Sequence, residues 1–291
     1  MRAQGPISTA LFDYLKFEQN NYDAFIFFGY LYATTYFGLP LVRDKSFLVP
    51  LAHDEWPIHF PMWTDFMGLP RQIVFSTPEE KAFFRRRFPA SGETGPVIGI
   101  GIEAPPSTDA GGFRAKYQLG DPFLLYVGRI DQSKGCSELV SWFIRLRDYV
   151  SEAMKLVLIG GEVMPIPYHL DVIHLGVVSE QEKWNAMAAC QWLVNPSSYE
   201  SLSIALLENW AVGRPALVNG KSEVMVGHCR RSNGGLWYNS FEELAAAIKL
   251  ADGSTKTTLG RQGQRYVLEN YSWDRIQASY LELLGRKPEH S

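Results

Sequence analysis

The chain has 291 residues, 46% of them apolar, and a formal net charge of −3. That length and composition suit a globular protein large enough for two domains, and so even a charge balance argues against general nucleic-acid binding. Its three cysteines, Cys136, Cys190 and Cys229, show no paired or metal-type spacing, which fits a reducing compartment.

Residues 5 to 19 have helical apolar spacing, and the N-terminus lacks the basic, apolar and small-residue regions of a signal peptide. Tyr22 to Phe28 reads as a buried strand. The uncharged run from Ala24 to Val42 is just long enough to span a bilayer, but Gly29, Thr34, Thr35, Gly38 and Pro40 interrupt it. A strand followed by a short helix explains it equally well. Ser46 to Leu51 is a second strand, ending in Ala52-His53-Asp54-Glu55, and Gln72 to Ser76 a third. Thr77-Pro78-Glu79-Glu80 opens a helix with proline at its first position. That helix continues through Lys81, Arg85, Arg86 and Arg87 with Phe83, Phe84 and Phe88 interleaved. A solvated face is the default reading of these charges, and peripheral contact with a membrane surface the sharper one. Val97 to Ile102 reads as a last strand, and Glu103 to Leu119, with Pro105, Pro106, Gly111 and Gly112, as a linker.

From Phe123 onward strands and helices alternate. Strands are expected at Phe123–Val127, Lys155–Gly160, Val172–Leu175, Trp192–Asn195, Pro215–Val218 and Leu236–Tyr238. Helices are expected at 136–150, after the capping box Ser179-Glu-Gln-Glu182, after Asn195, after the capping box Ser240-Phe-Glu-Glu243, and over 255–270 and 273–284. The expected division is 1–112 and 113–291. The first domain shows no early strand followed by a Gly-rich turn, so it reads as the later half of a doubly wound unit. Such a domain would leave an apolar sheet edge open and invite self-association.

Two stretches carry the chemistry. In Asn195-Pro-Ser-Ser-Tyr-Glu-Ser-Leu-Ser-Ile-Ala-Leu-Leu-Glu208, a strand end passes through a polar turn into an apolar helix. The N–H groups of Leu202, Ser203 and Ile204 fall at the helix start, where a phosphate is favoured. Glu200 before the helix and Glu208 within it can accept sugar and ribose hydroxyls. Taken alone, the stretch is an ordinary strand–turn–helix unit. Upstream, Tyr126-Val-Gly-Arg-Ile-Asp-Gln-Ser-Lys-Gly135 repeats the pattern, with Arg129 and Lys134 able to neutralise a diphosphate. Asp131 and Ser133 read as turn formers. Glu162, after Gly160-Gly161, stands at a strand end that is either a ligand position or an exposed loop.

In order and spacing, Gly128-Arg129…Lys134-Gly135, Glu200-x7-Glu208, Gly213-Arg-Pro215 and Gly234-Gly-Leu236 resemble the retaining glycosyltransferases of family 4. The resemblance covers roughly residues 20 to 285. It implies an α/β fold of two Rossmann-like domains facing across a cleft (the GT-B type), with the N-terminal domain incomplete. It further implies transfer of a hexose from a nucleoside diphosphate sugar to a carbohydrate or lipid-linked acceptor, in the cytoplasm or at the inner face of the membrane. On the resemblance, Glu200 and His53 serve the transferred sugar, and Val177 and Val178 read the base through their backbone. Ser203 stands where the family often has glycine, a mild change by this reading because the N–H survives. No metal or other cofactor is expected, since Arg129 and Lys134 supply the positive charge. Two other readings stand beside it: a shortened nucleotide-sugar-binding relative without turnover, and a phosphosugar isomerase of similar architecture.

Overall fold

The computed structural model describes all residues except 2, 3, 92, 93, 148, 150–152 and 287–291. The chain divides into two compact units, Met1–Ile100 with Ile276–Ser291, and Gly101–Arg275.

Unit 1 is a parallel four-stranded sheet in the order β1 (Phe25–Phe28), β2 (Ser46–Val49), β3 (Gln72–Phe75), β4 (Thr94–Val97). Its helices are α1 (Thr9–Glu18), α2 (Ala33–Gly38), α3 (Met62–Phe66) and α4 (Pro78–Arg87). β2 is buried on both faces, as the continuous apolar run of a central parallel strand requires. β1 lies at the edge, with Ile26 and Phe28 exposed. α4 begins where the sequence indicates: the Thr77 side chain accepts from the Glu80 amide (3.1 Å), and Pro78 occupies the first turn. Phe84 and Phe88 are buried, so the aromatics interleaved with the arginines belong to the core, while Arg85 and Arg86 face solvent.

Unit 2 opens with α5 (Ala110–Lys116) and holds a parallel six-stranded sheet. Its strands are β5 (Phe123–Val127), β6 (Lys155–Ile159), β7 (Val172–His174), β8 (Trp192–Asn195), β9 (Ala216–Asn219) and β10 (Gly235–Tyr238). Around it lie α6 (Cys136–Leu146), α7 (Glu180–Ala189), α8 (Ile204–Ala211), α9 (Glu223–Ser232), α10 (Phe241–Leu250) and α11 (Gly253–Asn270). The spatial order is β10-β9-β8-β5-β6-β7. β5 starts the sheet at its centre, and the chain winds first to one side and then to the other. The reversal therefore lies between β5 and β8, and in open α/β sheets ligands bind beyond the strand ends at such a point. One face of the sheet buries Leu124, Leu156 and Trp192 against Leu139, Val140 and Phe143 of α6.

Four expectations need correction. The last strand of unit 1 is Thr94–Val97 rather than 97–102, because the ladder with β3 runs from Ile73–Thr94 to Phe75–Val97 and ends with the Ile98 amide on the Phe75 carbonyl. The segment read as a linker contains α5. Asp109 caps it by accepting from the Gly112 amide (2.7 Å), and burial of Phe113 against Phe123 outweighs the poor helix propensity of Gly111 and Gly112. The division at 112 gives way to one at 100. The last helix, α12 (Trp273–Leu283), starts in unit 2 but belongs to unit 1 from Ile276 onward: Ile276, Tyr280, Leu283 and the following Leu284 pack on Phe47, Val49, Val74 and Ile98. The sequence reading also missed α3 and α9. The run Ala24–Val42 resolves into β1, α2 and an adjoining 3-10 segment, and no described helix is long and apolar enough to cross a membrane.

Candidate functional site

The turn after β5 and the turn after β8 meet at the reversal of the unit 2 sheet. Gly135, at the start of α6, has φ 76, and a Cβ there would stand 2.5 Å from the Pro196 carbonyl oxygen. Only glycine permits both that backbone and that approach. Across the junction, Lys134 Nζ donates to Glu200 Oε1 at 3.0 Å, the lysine half-buried and the glutamate largely so. A cation and a carboxylate 66 residues apart in sequence thus share one place.

Arg129 pairs with Asp131 at 2.9 Å, leaving most of its side chain in solvent. Asp131 also accepts from the Ser133 amide. That bond first, and the Arg129 guanidinium after it, hold the carboxyl below its usual range. Asp131 and Ser133 are turn formers, as expected. Burial pushes the Tyr126 phenol well above its ordinary value, so it stays protonated and donates to the Arg129 carbonyl at 2.7 Å. The cationic turn is therefore braced from beneath.

The turn after β8 is tied down at several points. Asn195 accepts from the Ser197 amide and donates to Ser203 Oγ, both at 3.0 Å, and Asn219 donates to the Pro196 carbonyl at 2.8 Å. Ser203 has φ 65, a left-handed conformation that glycine adopts freely and serine does not. The serine is therefore a costlier departure from glycine than the sequence reading allowed. Ser203 is the N-cap of α8, and its side chain makes no capping bond. The helix starts at Ile204, so Leu202 lies before it and is buried. Amides of the first turn remain available to an anion.

Glu208 is mostly buried and accepts from Lys183 of α7 at 2.7 Å; Lys183 also binds Glu180 at 2.8 Å. Burial raises the Glu208 carboxyl above its ordinary value, against the pull of Lys183. Burial alone would lower the Lys183 ammonium, but its bonds to Glu180 and Glu208 raise it. His228 is fully buried between the Leu202 carbonyl and the Tyr266 hydroxyl, each 3.1 Å away. Desolvation lowers its pKa to about 3, so it is neutral, with Nε2–H donating to Leu202 and Nδ1 accepting from Tyr266. Sequence reasoning did not find Lys183 or a role for His228, because each is defined by a partner far along the chain.

Glu162 lies beside the cationic turn through a parallel bridge to Ile130, with His174 Nδ1 3.6 Å from its carboxylate. Val177 is exposed and Val178 half-buried, in the loop after β7. In unit 1, His53 follows Leu51, whose φ is 55, and its Nε2 stands 3.5 Å from Glu55. Beside it Glu80 is buried and accepts from the amides of Ala52 and Ser76, each at 2.6 Å. Burial pushes the Glu80 carboxyl up to about 7 even though both amides pull it down. Among the described residues no group of three or more His, Cys, Asp or Glu side chains could hold a metal ion.

Residues 121–251 match the family described as "Glycosyl transferases group 1". The lipopolysaccharide core biosynthesis glycosyltransferase LpsE of Rhizobium meliloti (strain 1021) is 29% identical over 178 residues, covering 57% of this chain. The match spans 51%, about half, of that relative's length. Among solved structures, sucrose-phosphate synthase from Thermosynechococcus elongatus superposes with a TM-score of 0.75 at 19% identity, covering 96% of this chain and 79% of its own. HepE of Anabaena, in complex with UDP and glucose, gives 0.77 at 14% identity, covering 94% and 81%. The chain has the GT-B fold. In GT-B terms the group 1 match lies within unit 2, and it contains Arg129, Lys134, Glu200 and Glu208.

Proposed function

We infer that the chain is a glycosyltransferase that takes a hexose from a nucleoside diphosphate sugar and passes it to a hydroxyl acceptor with retention of configuration, in the manner of family 4. One observation carries the reading: Lys134 and Glu200 meet at the reversal of the unit 2 sheet, beside Arg129 and the uncapped start of α8. Arg129 and Lys134 would stabilise the diphosphate as the bond from the anomeric carbon to its oxygen breaks, and the α8 amides would add donors. Glu200 would hold sugar hydroxyls, Glu208 the ribose, and the backbone of Val177 and Val178 the base. The acceptor oxygen would attack from the face the diphosphate leaves, and the departing phosphate would take the acceptor's proton. His53 would serve the sugar from unit 1. The relatives' names support this class of chemistry: HepE is described with UDP and glucose, and LpsE as a core biosynthesis glycosyltransferase.

The acceptor on this reading is a carbohydrate or lipid-linked hydroxyl, and the place of action the cytoplasm or the inner face of the membrane. Since Phe84 and Phe88 are buried and Phe83 packs against the same core, contact with a membrane would rest on Arg85 and Arg86. The exposed edge of β1 supports association with a second copy, which a sizing column would register. The test of the main reading is calorimetric titration across a panel of nucleotide sugars beside a transfer assay. Saturable binding with transfer is expected, and transfer should survive EDTA because Arg129 and Lys134 carry the charge. Binding without transfer would mark a nucleotide-sugar-binding protein, and absence of binding would overturn the site.

A further inference from the structure

A second basic site lies at the opposite end of the unit 2 strands. Gln191 and Pro215 immediately precede β8 and β9, whereas the turn of Glu200 follows β8. α8 connects the two ends: Ser203 caps its start, and Gly213 lies just beyond its last residue, Ala211. Eight residues at ~1.5 Å each put roughly 12 Å between them. Gly213, Gln191, Arg214, Lys256 and Arg261 line a pocket of ≈ 350 Å³, with Gly253 at the α11 start. That volume falls in the range of small-molecule sites, roughly 300–1,000 Å³.

Three cations line this one pocket. None of the three cationic side chains makes an ion pair with a described residue, although the whole chain carries a net charge of −3. Lys256 sits in the first turns of α11, which hold no acid, and Arg261 follows it along the same helix. A helix start is positive, so cations there are unfavourable unless an anion joins them. The acid at the N-cap, Asp252, accepts from the Thr255 amide at 2.7 Å, and the nearby Lys256 ammonium adds to the bonds that hold its carboxyl below the usual range, so one of the three positive charges is partly balanced within the chain. The wall of the pocket is built closely. α11 crosses so near Gly213 that a Cβ on Gly260 would collide with the Gly213 carbonyl, and Gln264 donates to the Ala211 carbonyl at 2.9 Å. Arg214 is thereby carried on a fixed turn facing the start of α11.

The geometry points to a binding site for a phosphate monoester, held by Arg214, Lys256 and Arg261 at the foot of the unit 2 sheet and separate from the Lys134–Glu200 centre. A dianionic phosphate matches the excess charge, and the helix start supplies backbone donors. The site stands on the pocket itself, whatever the reaction at the other end of the sheet.

Calorimetric titration of the full chain with glucose 6-phosphate and with inorganic phosphate tests the assignment. Saturable binding of at least one is expected. Arg214→Gln and Lys256→Gln should each weaken it at least tenfold, while Lys134→Ala leaves it unchanged and an excess of UDP does not displace it. If Arg214→Gln fails to fold, Lys256→Gln, on the outer turn of α11, carries the comparison. No saturable binding of either probe, binding abolished by Lys134→Ala, or displacement by UDP would overturn the second site.

Discussion

Lys134 and Glu200 are paired with each other, so removing one or the other should affect ligands differently. Arg129→Ala and Lys134→Ala should each weaken binding of a nucleoside diphosphate by roughly 1.5–3 kcal/mol, the range for hydrogen bonds to charged groups. Glu200→Ala should leave the bare diphosphate bound, since it releases Lys134, yet lower affinity for the nucleotide sugar. Titration of all three variants with both ligands reads this, and equal losses of both ligands in Glu200→Ala would refute the division of roles. Ser203 supplies a conformational test. Ser203→Ala loses the bond from Asn195 and keeps the left-handed strain, whereas Ser203→Gly loses the bond and relieves the strain. The glycine variant should therefore be the more stable of the two by about 1 kcal/mol in chemical denaturation. The cations and both glutamates were legible because each stands in a short motif with a turn and a helix start. Lys183 and His228 were not, since their partners Glu208 and Leu202 lie 25 and 26 residues away and nothing local announces the pairing.

Among the elements, α4 does more than cover the sheet. Its Glu80 fastens the ends of β2 and β3 by accepting from the amides of Ala52 and Ser76, and so holds the backbone that carries His53. Burial lifts the Glu80 carboxyl from an ordinary value near 4.5 to about 7. Between those values the folded chain holds a proton that the unfolded chain has released. Stability should therefore fall as pH rises from 4.5 to 7 and then level off, by about 3 kcal/mol at most. Glu80→Gln should flatten that dependence in denaturation curves taken across the window. An unchanged slope would show that the two amides already hold the carboxylate ionised. Central strands were plain from sequence because an apolar run between turn signals has few other uses. Helix α5 was hidden by two glycines and two prolines, whose local preference is overruled by the burial of Phe113 and the Asp109 cap. α9 was missed for another reason. The Ser222 cap was present, but His228, Arg230 and Arg231 broke the apolar pattern that would have drawn attention to it.

Across the whole molecule, the two parallel sheets followed from the alternation of elements, but the path of the chain between them did not. α12 has the composition of any amphipathic helix, and only its contacts assign it to unit 1. Ile276→Ala should destabilise unit 1 by about 2–4 kcal/mol, as expected for a buried isoleucine, and leave unit 2 unfolding as before. Hydrogen exchange resolved by segment would separate the two, and a uniform loss across both units would show that they unfold as one. This route also sets an order of events during synthesis. Gly101–Arg275 leaves the ribosome as a continuous stretch and can close its own core. The sheet of unit 1, made first, waits with Phe47, Val49, Val74 and Ile98 lacking the helix that covers them. The earlier-made half is thus completed last, and a nascent chain stalled between the two units would display that apolar face to chaperones for as long as the stall lasts.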